Sequence, residues 1–238
     1  MAYLFLKKKF FQIVLHRQKI IIGFIRISLV LAILGSIYEL NWMSLFVSFL
    51  ALVLSFLPEF FHKKYKLWLP NYFQLFIILF IYAGLFLGEA RSFYIKFWWW
   101  DSLLHLLSGV ALGFVGFLVV YALHKAHKIS SSPLLLATFA FCFAVSVGVL
   151  WEIFEFFMDQ FLNLNMQKSR NLCDIGALYC DTRLGVRDTM IDLILDSIGA
   201  LFASIAGFLF LKKKKPFFIG KIVNEFEEKN KNLFLKKS

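Results

Sequence analysis

Hydrophobic residues in this chain neither alternate with polar ones, as in a half-buried strand, nor keep to one helix face, as in a soluble bundle. They run in six continuous blocks, near 20–38, 42–60, 70–88, 102–123, 133–158 and 189–211. At about 1.5 Å of rise per residue, each block is long enough to cross a hydrocarbon core about 30 Å thick. Helices are expected, because isolated strands in lipid would leave backbone N–H and C=O groups without partners. The pattern predicts an all-α fold: a polytopic membrane helix bundle of six transmembrane helices over residues 1–215, with no linker long enough to set off a second domain. Ser132 as N-cap and Pro133 in the first turn mark where the fifth span starts. The stretch AYLFLKKKFFQIVLHR reads as a short amphipathic surface helix leading into an uncleaved anchor, since no small-residue cleavage pattern follows it. Residues 216–238 read as a basic, surface-lying cytoplasmic tail.

Composition agrees with the pattern, at 60% hydrophobic residues and a mean hydropathy of +0.73. The net charge of +11 would suit nucleic acid, but its placement argues for topology instead. Twenty of the 26 Lys and Arg residues fall on one side of the spans, in runs such as HKKYK, HKAHK and KKKK. By the positive-inside rule that side is cytoplasmic, so both termini are inside and residues 159–187 are outside. No nucleic-acid partner is implied; the partner is the lipid bilayer. Cys173 and Cys180 share that external segment, where an oxidising compartment would permit a disulfide. Cys142, inside the fifth span, is expected to be a small buried side chain.

The acids change the picture most. The first three spans carry Glu39, Glu59 and Glu89 near their ends. The last three carry stripes at helical spacing: Asp101, His105 and Ser108 in the fourth; Glu152, Glu155 and Asp159 in the fifth; Asp188, Asp192 and Asp196 in the sixth. Intramembrane carboxylates are costly unless paired, hydrated or metal-bound, so such stripes are expected to face one another rather than lipid. Counted from the outer ends of the spans, His105, Glu155 and Asp192 lie about 6 Å deep, Glu152 about 10 Å and Asp196 about 12 Å. Asp159, Asp188 and Arg187 fall at the interface, where solvation accounts for them. Gly109, Gly113 and Gly116 in the fourth span, and Gly199, Ala203 and Gly207 in the sixth, offer small surfaces for close helix packing. WWW at 98–100 marks an aromatic belt.

Three ordered motifs, WWWDSLLHLLSGVALGFVGF, WEIFEFFMD and VRDTMIDLILDSIGA, resemble those of the YjdF-like bacterial inner-membrane proteins, over residues 98–206. A looser similarity extends to VanZ-like membrane proteins. The resemblance implies a multi-pass protein of the bacterial inner membrane, and Asp101, His105, Glu152, Glu155, Asp188 and Asp192 match its motif positions. The chain departs from the pattern with Arg187 in place of Trp, Met190 in place of Gln, and Asp196 as an additional acid.

Three functions fit these residues. An enzyme could hold a divalent metal on His105, Glu155 and Asp192, activate water, and act as a hydrolase or transferase on a lipid-linked or amphiphilic substrate, with Arg183 and Arg187 steering its anionic part. A carrier could use the same acids as a proton or cation relay, although no repeated halves or interrupted helix pair is visible. A structural or accessory protein could use them as buried ion pairs that specify packing. No nucleotide-binding loop, HExxH or nucleophile-elbow pattern occurs.

Overall fold

The computed structural model describes residues 2–162, 165–167, 183–212 and 217–234. Helices are the only regular elements among them, and six are long and apolar enough to cross a membrane: His16–Tyr38, Trp42–Lys64, Asn71–Ala90, Trp100–Lys125, Pro133–Phe161 and Gly185–Leu211. These overlap the six hydrophobic blocks one for one. The chain forms two compact units, Met1–Lys96 with Glu228–Asn230, and Phe97–Glu227 with Lys231–Ser238.

The first unit begins with α1 (Ala2–Tyr38), which is unbroken. The separate surface helix expected over 2–17 is therefore absent as a distinct element; its backbone continues directly into the span. The second span is built from α2 (Trp42–Leu54) and α3 (Leu57–Tyr65), with Asn41 capping Ser44 N–H at 3.0 Å. The interruption at Ser55 is met by Arg26 of α1, which donates to the Ser55 carbonyl at 2.8 Å and to Glu59 at 2.7 Å. Arg26 is thus compensated inside the unit. The third span starts as α4 (Asn71–Ile81) and widens into a π-helix over Tyr82–Ala90, followed by the short α5 (Phe93–Lys96). Ile25, Leu29, Ala51, Ile78 and Phe86 form this unit's apolar core.

The second unit holds three long helices, α6 (Trp100–Lys125), α7 (Pro133–Leu162) and α8 (Arg183–Leu211). Ser132 Oγ accepts from Leu135 N–H at 3.3 Å and Pro133 opens α7, the start that the sequence marks. Small residues set how closely these helices meet. A Cβ on Gly109 would overlap the Asp196 carbonyl oxygen, and one on Gly199 would overlap the Leu106 carbonyl oxygen. Gly113 faces Ala203 of α8, and Gly116 faces Ala140 and Phe143 of α7. Backbone-to-backbone contact at these points replaces the hydrophobic driving force that lipid does not supply.

The expectation of a buried Cys142 does not hold. Cys142 is exposed, on a face of α7 turned away from its neighbours, because α7 presents its small Ala137, Ala140 and Ala144 to the interior instead. Within the segment after 216, α9 (Phe217–Lys229) buries Ile219, Ile222, Val223 and Phe226 on one face. Glu227 of α9 contacts the Tyr121 hydroxyl and the Lys125 ammonium at the end of α6.

Candidate functional site

One imidazole surrounded by carboxylates occupies the α6–α7–α8 bundle. His105 leaves α6 one turn after Asp101, so both point along the same face. Its Nε2 lies 3.9 Å from Asp101 Oδ1, 3.8 Å from Glu152 Oε1 of α7, and 3.9 Å from Asp192 Oδ2 of α8. Its Nδ1 lies 3.3 Å from Asp196 Oδ2, one turn further along α8. His105, Glu152, Asp192 and Asp196 are buried, and Asp101 is partly exposed at the start of its helix.

The local sequence explains the convergence. Gly109 and Gly199 let α6 and α8 touch beside the imidazole, so that Asp196 reaches it from the neighbouring helix. Gly148 supplies room on α7: a Cβ there would stand 2.7 Å from Asp196 Oδ2. Ser108 Oγ contacts Asp196 Oδ1 and lies 2.8 Å from the His105 carbonyl.

Charge compensation is incomplete among the described residues. Both oxygens of Glu152, and Asp192 Oδ2, are fully buried and have no hydrogen-bond donor among the described residues. Thr189 stands near Glu152, and its hydroxyl accepts from Gln167 Nε2 at 2.9 Å. Glu152 is only 4% exposed and Asp192 only 2%, so bulk solvent does not reach them. A buried carboxylate left this way costs several kcal/mol unless a cation answers it. Asp101, His105 and Asp192 each offer a ligand atom, and these three atoms lie within 4.8 Å of one another. An ion bonded at about 2.0–2.2 Å to two such atoms holds them roughly 3–4 Å apart, so the cluster is near ligating size.

The remaining residues singled out in the sequence are distributed as follows. Glu155 is buried one turn beyond Glu152, and it is Glu152 that α7 brings to His105. The helix runs to Leu162 rather than ending near 158, which shifts the level of its acids by about one turn. Asp188 stands partly exposed one turn before Asp192, and Arg187 is exposed. Asp159 is not an interfacial, solvated acid: it is buried, and it accepts from the backbone N–H groups of Met166 at 2.6 Å and Gln167 at 3.1 Å. Cys173, Cys180 and the Arg183 side chain lie outside the described residues. Asp196 and Ser108 carry the polar stripes of α8 and α6 inward, whereas nothing in the sequence separates Gly148 from an ordinary packing glycine.

The family described as "Predicted membrane protein (DUF2238)" matches residues 20–213, spanning all six helices and the whole acidic cluster. The chain belongs to this family. It is also 27% identical over 164 residues to an uncharacterized protein of Thermotoga maritima, covering 68% of this chain and 74% of that one. No solved structure matches. The family places the six helices in a multi-pass membrane protein and assigns no reaction to the cluster.

Proposed function

We propose that this DUF2238 protein binds a divalent cation between α6, α7 and α8 and uses it for hydrolysis or group transfer on an anionic, lipid-linked or amphiphilic substrate. The observation that carries the reading is the combination of three ligand atoms within 4.8 Å with buried carboxylate oxygens that lack donors. Asp101, His105 and Asp192 are the ligands. Mixed oxygen and imidazole donors suit manganese, iron or zinc better than an all-oxygen site for magnesium. Bound there, the cation would polarise a phosphoryl or carbonyl oxygen and acidify a water molecule. Glu152 is the base beside that water, since neither of its oxygens is engaged by a donor. Arg187, exposed in the first turns of α8, and Arg183, at the start of that helix, steer the substrate's anionic part towards Asp101.

Resemblance to YjdF-like proteins, and more loosely to VanZ-like ones, favours the bacterial inner membrane as the location. Charge asymmetry of the loops puts the Asp101 end of α6 on the external side. The test is elemental analysis of protein purified in detergent without chelators, beside a His105→Ala/Asp192→Asn double variant. About one divalent ion per chain, lost in the variant, is expected. Metal-free wild-type protein that remains metal-free after incubation with manganese and zinc would overturn the proposal. Proton-coupled uptake into vesicles by such protein would replace it with a carrier.

A further inference from the structure

We infer that Asp196, supported by Ser108, is the positioning residue that fixes the tautomer and ring orientation of His105, turning its Nε2 lone pair towards Asp101 and Asp192. This rests on the metal-site reading for its purpose but on separate contacts for its geometry. The two faces of the imidazole differ. Nδ1 lies 3.3 Å from a single oxygen, Asp196 Oδ2, whereas Nε2 stands 3.8–3.9 Å from three oxygens of three different acids.

Hydrogen-bond chemistry decides which nitrogen carries the proton. An ionised carboxylate only accepts, so the nitrogen beside Asp196 Oδ2 is the one that must donate. Neutral imidazole has one N–H, and placing it on Nδ1 leaves the Nε2 lone pair free to bind a cation. Asp196 is itself held. Ser108 has a single hydroxyl proton and lies against both Asp196 Oδ1 and the His105 carbonyl, and the charged acceptor makes the stronger bond. The backbone of Asp196 is pressed against Gly109, and its carboxylate against Gly148, so the side chain has little freedom to swing away. The groups facing His105 are therefore Asp101 and Ser108 from α6, Glu152 from α7, and Asp192 and Asp196 from α8. Among the described residues, only Asp196 is placed to orient the ring from behind, which is the role of a second carboxylate in a carboxylate–histidine–metal arrangement.

Full-length protein carrying 15N-labelled histidine, reconstituted in nanodiscs, gives a readout that a merely structural residue would not move. His105→Ala assigns the His105 signal among the five histidines. Without added metal, Nδ1 of wild-type His105 is expected to carry a hydrogen bonded to Asp196, whether the ring is neutral or charged. Asp196→Ala should break that bond and weaken manganese binding by about 10- to 100-fold, and Ser108→Ala should do so less. Asp196→Asn keeps a carbonyl acceptor and should retain the bond. A wild-type Nδ1 without hydrogen, or an Nδ1 signal unchanged in Asp196→Ala, overturns the inference. If Nδ1 behaves as expected but wild-type protein binds no manganese, the positioning stands and the metal reading alone fails.

Discussion

Glu152 shows most directly what a single residue contributes. It sits on a helix face where leucine would be cheaper, and neither oxygen has a donor among the described residues. Glu152→Gln removes the charge while keeping the shape. In protein stripped of divalent ions it should raise stability by about 1–3 kcal/mol, the scale of an unsatisfied buried polar group, read as a higher unfolding temperature in detergent. With manganese added, wild-type protein should gain stability by ligand linkage, and the variant should lose any turnover. Lower stability in the metal-free variant would mean that a donor holds Glu152. The polar stripes themselves were legible, because lipid does not tolerate acids spaced four residues apart along one helix face. Which acid of α7 meets His105 was not. That choice depends on where the helix ends, and the apolar pattern blurs that end by about a turn.

Among the helices, α6 and α8 meet along a glycine seam, and the cluster exists because the seam is tight. Gly109→Ala would drive a methyl group into the Asp196 carbonyl, forcing the helices apart and drawing Asp196 from His105. A loss of about 1–3 kcal/mol is expected. Gly23→Ala in α1, where a Cβ meets nothing within 4 Å, is the control and should be neutral or slightly stabilising. Equal effects in thermal unfolding of the two variants would show that the seam carries no special constraint. Spacing in the sequence identified these small residues as packing surfaces, with Gly113 opposite Ala203 as one outcome. It could not identify the π-helical turn over Tyr82–Ala90 or the exposure of Cys142, since composition does not reveal which side of an apolar helix its neighbours cover.

For the whole molecule, six spans would place the stretches before the first and after the last on one side, and the basic runs favour the cytoplasm for that side. Reporter fusions at residues 65, 126 and 220 should read cytoplasmic, and one at 175 external. An external reading at 126 would invert the site. The same orientation predicts a Cys173–Cys180 disulfide, and non-reducing mass spectrometry should find the two peptides linked. The proposed cation site, entered from outside, would give the buried acids a purpose that packing alone does not require. Manganese loading followed by electron spin echo spectroscopy tests this most directly, since the ion reports each directly bound nitrogen. Wild-type protein should show one histidine nitrogen coupled to manganese, lost in His105→Ala and kept in His124→Ala. Manganese bound without a nitrogen coupling, or a coupling that survives His105→Ala, would place the ion elsewhere and contradict the site described for α6, α7 and α8.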